Sequence, residues 1–378
     1  MSQLNLFTGA SPLLTMPSRV SASDDAAMLG IIDDGSFIVD DAGQIVWIGR
    51  RGEHPPELEP AGRTDLGGRL VLPGFVEAHT HLIFAGERTH DYALRCAGAS
   101  YEEVAERGGG IRLTVRSTRS ASREALMLSG RERLNDFLRH GVTTVEIKSG
   151  YGLDLASELK CLEIAQALGE AGPTRIVATC LAAHIVPDAF KDRRDDYIGM
   201  VTQELLPEVA RRDLARFVDV FCEVGAYRID ETERIFDRAR ALGLGIKVHA
   251  EQLSYSGAAR LAASYGATSA DHLEHIKPED AAFLAESGTA AVLLPGAGLF
   301  LGGQTRPPAR ALLDAGVAVA ISTDFNPGTC PSTHLPLMTT FGCSWLGMST
   351  VEALRGVTVH AAHCAVIDVA AGSKSAST

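Results

Sequence analysis

From residue 123 to residue 324 the sequence repeats one pattern: a helix-period segment, a Gly or Pro breaker, then a short apolar run. "REALMLSGRERLNDFLRHG" precedes "VTTVEI", and "SELKCLEIAQALGEAGP" precedes "RIVATCLA". "VTQELLPEVARR" leads into "FVDVFCE", "DETERIFDRARALG" into "IKVHA", and "YSGAARLAASYG" into "TSADHL". "PEDAAFLAESG" leads into "AAVLLP" and "PARALLDAG" into "VAVAISTD". The second helix is expected to open on Ser157 as N-cap and to stop at Gly172-Pro173. Counting "GFVEAH" as the first, these are eight strands, short and apolar as strands buried on both faces should be. Eight alternations predict an α/β fold, a closed (β/α)8 TIM-like barrel in preference to an open doubly wound sheet. An open sheet would place a Gly-rich phosphate turn after its first strand, where this chain has His79-Thr80-His81.

The segment before the barrel has a different rhythm. Residues 36–52, "SFIVDDAGQIVWIGRRG", predict a hairpin around the Asp40-Asp41-Ala42-Gly43 turn. With "LNLFTG" before it and "GGRLVLPG" after it, the first 70 or so residues look all-β. A barrel plus a smaller domain suits 378 residues. The net charge of −12 argues against nucleic acid or an anionic membrane as partner. Seven cysteines, an odd number without a CxxC pair, argue against a disulfide framework and for a reducing cytosol. The N-terminus lacks the positive region of a signal peptide, and no apolar run reaches the roughly 18 residues of a spanning helix. A soluble cytoplasmic protein is expected.

In such a barrel the chemistry sits where strands end. The first strand ends in His79 and His81, whose i, i+2 spacing turns both to one side. The fifth ends in His249, the sixth in His272 with His275 nearby, and the eighth in Asp324. Three imidazoles and a carboxylate can hold one divalent ion and leave a position open for water, a hydrolytic arrangement.

This set, with "VLPGFVEAHTHL" around it, resembles the amidohydrolase superfamily, in particular its metal-dependent members with a small β-sandwich beside the barrel. "HTHLIFAGER", "GGGI", "EIKSGYGLD", "AAHIVP", "HAEQL", "DHLEH" and "STDFNPGTCP", in order from about residue 70 to 365, resemble the imidazolonepropionase family. The resemblance implies a sandwich segment at 1–70, a barrel at 71–365 and a tail at 366–378. It implies hydrolytic opening of 4-imidazolone-5-propanoate to N-formimino-L-glutamate, with this small molecule as partner and a homodimer as assembly. It places one metal ion, zinc or iron, on His79, His81, His249 and Asp324. Arg88 would meet the substrate propionate, as a planar guanidinium suits a carboxylate. Tyr151, His184, Gln252, Asn326, Gly328 and Thr329 would line the rest of the pocket. Asp324 would take the proton of the attacking water, and His272 would orient that water or stabilise the oxyanion. Gln252 cannot act as a base, because an amide holds no labile proton near neutral pH; Glu251 is its neighbouring alternative. Another cyclic amidohydrolase or aminohydrolase is the rival reading, and a catalytically impaired barrel is a third.

Other features carry less. Cys222-Glu223 ends the fourth strand without the lysine that binuclear relatives carboxylate, which favours one metal. Lys148 ends the second strand and is expected to donate hydrogen bonds within the rim. "RGGGIRLTVRSTR" lacks the GK[ST] of a P-loop and fits an active-site loop better. His54, His90, His140, His334, His360 and His363 are expected to be surface or core residues. "STVEALRGVTVHAAHCAV" predicts a helix opened by a Ser349–Glu352 capping box. The closing "IDVAAGSKSAST" leaves little for the returning sandwich strands that the family implies. The end therefore reads as truncated or altered, with unpaired edge strands as an aggregation risk.

Overall fold

The computed structural model describes residues 3–20, 24–99, 103–104 and 108–366. Four strands near the N-terminus, β1 (Asn5–Ala10), β2 (Gly35–Val39), β3 (Ile45–Arg50) and β4 (Gly62–Asp65), form one sheet in the order β3-β2-β1-β4. The predicted hairpin is β2–β3, and the Asp40 carboxylate fixes its turn by accepting from the Ala42 and Gln44 amides. The segment is not all-β, however. Asp25–Leu29 is a single helical turn, opened by Asp24, which accepts from the Ala27 amide at 2.9 Å, and closed by Gly30 at φ 60. Five residues are too few to show a helical period, so only these caps announce the turn. Among the described residues no strand after Ile321 joins this sheet, and the predicted tail lies, from 367 onward, outside the described residues.

The eight predicted runs are eight parallel strands: β5 (Phe75–Glu77), β6 (Val142–Lys148), β7 (Arg175–Ala183), β8 (Phe217–Cys222), β9 (Gly245–Ala250), β10 (Ser269–His272), β11 (Ala290–Leu293) and β12 (Val319–Ile321). Each pairs with the next in chain order. Closure is made just past the strand ends: Thr80 bridges Phe325 in parallel, and the His81 amide donates to the Phe325 carbonyl at 2.9 Å. Alternation sorts the side chains. Val218, Val220, Ala291, Leu293 and Ile321 pack outward against the helices, while Phe217, Ala290, Val292 and Ala320 face inward.

One helix start differs from expectation. The helix Leu155–Ala171 is capped by Asp154, whose carboxylate accepts from the Ser157 amide at 2.8 Å; the Ser157 hydroxyl in turn donates to it at 3.1 Å. Asp154 is the stronger acceptor and stands in extended backbone, so it takes the cap and draws Ser157 into the first turn. The Ser349–Glu352 capping box forms as predicted. Beyond it, the helix Val359–Cys364 sets Ala361, Ala362 and Cys364 against Val76, Val177, Phe217 and Ala290, and so closes the barrel at the end where strands begin. All seven cysteines are free thiols. Among the described residues no helix is long and apolar enough to cross a membrane.

Candidate active site

His79, His81 and His249 lie at the strand-end rim with one ligand-capable atom each, all within 4.8 Å of one another. The two imidazoles of the i, i+2 pair converge: Nε2 of His79 and of His81 stand 3.5 and 3.4 Å from Oδ1 of Asp324. Buried polar atoms ordinarily find hydrogen-bond partners. Here His79 Nε2, His249 Nε2 and Asp324 Oδ1 are buried and have none. Orphaned nitrogen and oxygen donors facing one point fit a divalent cation bound by imidazole and carboxylate.

Behind the rim lies a layer of charge with no access to water. Nδ1 of His79 meets Asp271 Oδ2 at 2.6 Å, and Nδ1 of His249 meets Asp219 Oδ2 at 3.0 Å. The Asp271 carboxylate fixes the tautomer of His79 and leaves its Nε2 free to coordinate, and Asp219 faces His249 from the same side. Burial, reinforced by Lys148 and the neighbouring histidines, holds His79 well below the usual imidazole pKa. Burial likewise lowers His249 and outweighs the pull of Asp219. Both are therefore neutral, as a ligand must be. Burial opposes ionisation of Asp324, but the contact with His81 and the surrounding imidazoles outweigh it and lower its pKa.

His272 is beside this cluster and outside it, with its ring 5.3 Å from that of His249 and 5.6 Å from that of His79. Burial would lower its pKa, yet the Glu274 carboxylate, 3.8 Å from Nδ1, prevails and raises it. His275 is not gathered in; it is half-buried, and its amide donates to the Glu251 carbonyl.

The other predicted residues surround the same rim. His184 stacks on His81 at 5.0 Å between centroids, and Tyr151 lies 5.7 Å from each of these rings. Glu158 holds the Tyr151 loop by accepting from the amides of Gly150, Gly152 and Leu153. Arg88 is braced by Asp91, which accepts from Nε at 2.8 Å, and its guanidinium lies on Gly328 so closely that any Cβ there would collide with it. The arginine and the loop after β12 thus meet. Asp91 also accepts from the Gly110 amide at 2.9 Å, which ties the Gly-rich stretch to the arginine. Gln252 is half-buried three residues beyond His249.

A family model described as Amidohydrolase family matches residues 70–373. The imidazolonepropionase of Pseudomonas entomophila is 50% identical over 333 residues, covering 88% of this chain and 82% of that protein. That of Paraburkholderia phymatum is 49% identical over 331 residues, covering 88% and 81%. The chain belongs to the amidohydrolase family. Solved structures agree on the amidohydrolase barrel. An adenosine deaminase from Xanthomonas campestris with bound zinc has a TM-score of 0.70 at 18% identity, covering 96% of this chain and 80% of that one. A guanine deaminase from C. acetobutylicum has a TM-score of 0.65 at 14% identity, covering 96% and 87%. At such identities the likeness is one of fold.

Within this amidohydrolase two expected residues have other work. Asn326 spends its amide on its own loop: it donates to the Asp324 carbonyl and to Thr329 Oγ1, and accepts from the amides of Gly328 and Thr329. Glu251 turns away from the histidine cluster and caps the helix Ala258–Ser264 through the amides of Ala258 and Ala259. Sequence reasoning missed the charged layer of Glu146, Asp219, Lys247 and Asp271. For Asp219 and Lys247 a signal was present, since each is a charge between apolar neighbours in a strand-length run.

Proposed function

We propose that this chain is an imidazolonepropionase, which adds water across the ring of 4-imidazolone-5-propanoate and gives N-formimino-L-glutamate. The observation that carries the reading is the set of orphaned donors, His79 Nε2, His249 Nε2 and Asp324 Oδ1, buried together at the barrel rim. With His81 they would hold one zinc or iron ion. Such an ion supplies Lewis acidity and makes water a nucleophile near neutral pH.

The chain's own residues do the rest. Arg88 binds the propionate, with Asp91 holding its Nε and leaving the outer edge of the guanidinium to the ligand. Tyr151 and His184 bound the ring on the side of His81, while Gln252, Gly328 and Thr329 complete the pocket, which Asn326 shapes from behind. Asp324, kept ionised, accepts the proton of the attacking water and returns it to the ring nitrogen as the carbon–nitrogen bond breaks. His272, favoured in its charged form by Glu274, stabilises the oxyanion that forms on the attacked carbon. Glu251 is engaged as a cap and takes no proton. The same reading includes a cytosolic homodimer, and a small sandwich segment at 1–70, a barrel at 71–365 and a tail at 366–378.

Metal content and ring-opening activity, measured on one purified sample beside His249→Ala, test this. About one zinc or iron per chain with turnover, both lost in the variant, supports it. Metal without turnover of this substrate favours the rival amidohydrolase or aminohydrolase.

A further inference from the structure

We infer that Lys148 is a positioning residue that sets two of the metal-binding imidazoles at once. Its ammonium lies 2.8 Å from Asp219 Oδ2, 3.2 Å from Asp271 Oδ2 and 3.0 Å from Glu146 Oε1, with every one of these side chains fully buried. The first two oxygens are those that face the histidines. Asp219 Oδ2 stands 3.0 Å from His249 Nδ1, and Asp271 Oδ2 stands 2.6 Å from His79 Nδ1. One ammonium thus bridges two carboxylate–imidazole pairs that arrive on different strands.

The arrangement has a geometric and an electrostatic consequence. The ammonium donates to Glu146 Oε1 and Asp219 Oδ2 and forms an ion pair with Asp271 Oδ2. Each aspartate is further fixed on its second oxygen, Asp219 by the His249 amide at 3.1 Å and Asp271 by the Ser269 hydroxyl at 2.6 Å. The imidazoles therefore meet immobile acceptors, and their Nε2 atoms are aimed before any ion arrives. The charge matters as well. One ammonium set among three fully buried carboxylates offsets charge that a dry interior would otherwise hold at a large cost. Lys247, 2.9 Å from the far oxygen of Glu146, adds a second positive charge to the layer.

This inference rests on the reading that His79, His81, His249 and Asp324 hold the ion, and the test separates the two. Apo protein is reloaded with zinc in competition with a chromophoric chelator, the visible spectrum of the cobalt(II) form is recorded, and the Tm of the apo form is measured. Lys148→Met is expected to weaken zinc binding about 10- to 100-fold and to shift the cobalt spectrum, while the apo form still melts cooperatively. Asp271→Asn, which cuts one arm alone, is expected to produce the same changes to a smaller degree. A folded Lys148→Met variant with zinc affinity within about twofold of wild type and an unchanged cobalt spectrum overturns the inference. Should Lys148→Met fail to fold, wild-type affinity in both Asp271→Asn and Asp219→Asn overturns it equally. A wild-type chain that binds no zinc or cobalt overturns the metal reading itself.

Discussion

At the end of the barrel where strands finish, His79, His249 and Asp324 bury unpartnered polar atoms, and Glu251, His272, Leu273 and Asp324 hold positive φ angles of 51, 80, 69 and 55. At the other end, Val76, Val177, Phe217, Ala290 and Val292 meet the alanines of the helix Val359–Cys364 in a small apolar cluster. Left-handed backbone at non-glycine residues and orphaned buried donors each cost on the order of 1–3 kcal/mol. The rim thus holds groups in arrangements that folding alone would not choose, and the rest of the molecule must hold them there. The closed lower end and the outer layer of helices are where that stabilisation comes from, so each end should fail in its own way when altered.

The largest effect should come from Asp324→Asn. Asparagine tolerates left-handed backbone, so the local fold is kept while the carboxylate proposed as ligand and proton carrier is lost. Ring opening is expected to fall by about 10³-fold or more while Tm moves little. A large drop in Tm would show that Asp324 is structural and would erase the contrast between the ends. Next, Arg88→Ala should raise KM for the imidazolone about 10- to 100-fold, since a charge-assisted hydrogen bond is worth roughly 1.5–3 kcal/mol, with kcat changed far less. An unchanged KM would move the propionate elsewhere and favour a substrate without a carboxylate.

How much of this could be read from residues differs between the two ends for a physical reason. The strands and the rim histidines and aspartate obey local rules: apolar runs of strand length, histidines two apart, an aspartate just past a strand. The lower end obeys none, because Ala361 and Ala362 carry no signature beyond being small, and only the closed barrel shows what they fill. The same holds for Lys148. Its position on a strand and its neighbour Glu146 two residues before it are local, but Asp219 and Asp271 come from β8 and β10, and only the folded barrel brings them to it. The misplaced cap at Ser157 and the missed turn at Asp25–Leu29 are failures of another kind, in which one side-chain hydrogen bond decides between neighbouring candidates.

Ala361→Leu tests the lower end. The side chain is fully buried in the lower cluster, and overpacking costs roughly 1–3 kcal/mol. Tm should fall by several degrees, as about 1 kcal/mol shifts a larger domain by roughly 2–4 °C, while kcat and KM of the folded fraction stay as in wild type. A loss of kcat at unchanged Tm would mean that the lower helix tunes the rim directly.

The smallest effect concerns acid. His360, on the same helix, directs Nδ1 to the Val319 carbonyl at 3.1 Å, and burial pushes its pKa down to about 4. The unfolded chain takes a proton on this imidazole as pH falls through 6.5, whereas the folded chain does not until about 4. The unfolded state therefore binds more protons across that window, and folding loses stability as pH drops from about 6.5 to 4. His360→Gln removes this one titration, so the fall in apo Tm between pH 6.5 and 4 should be shallower than in wild type. Some slope should remain, because the lowered His79 and His249 also become charged in acid on unfolding. Activity per folded molecule at neutral pH should match wild type. An unaltered slope in the variant would show that the lower end contributes nothing to acid sensitivity, and would assign all of it to the rim.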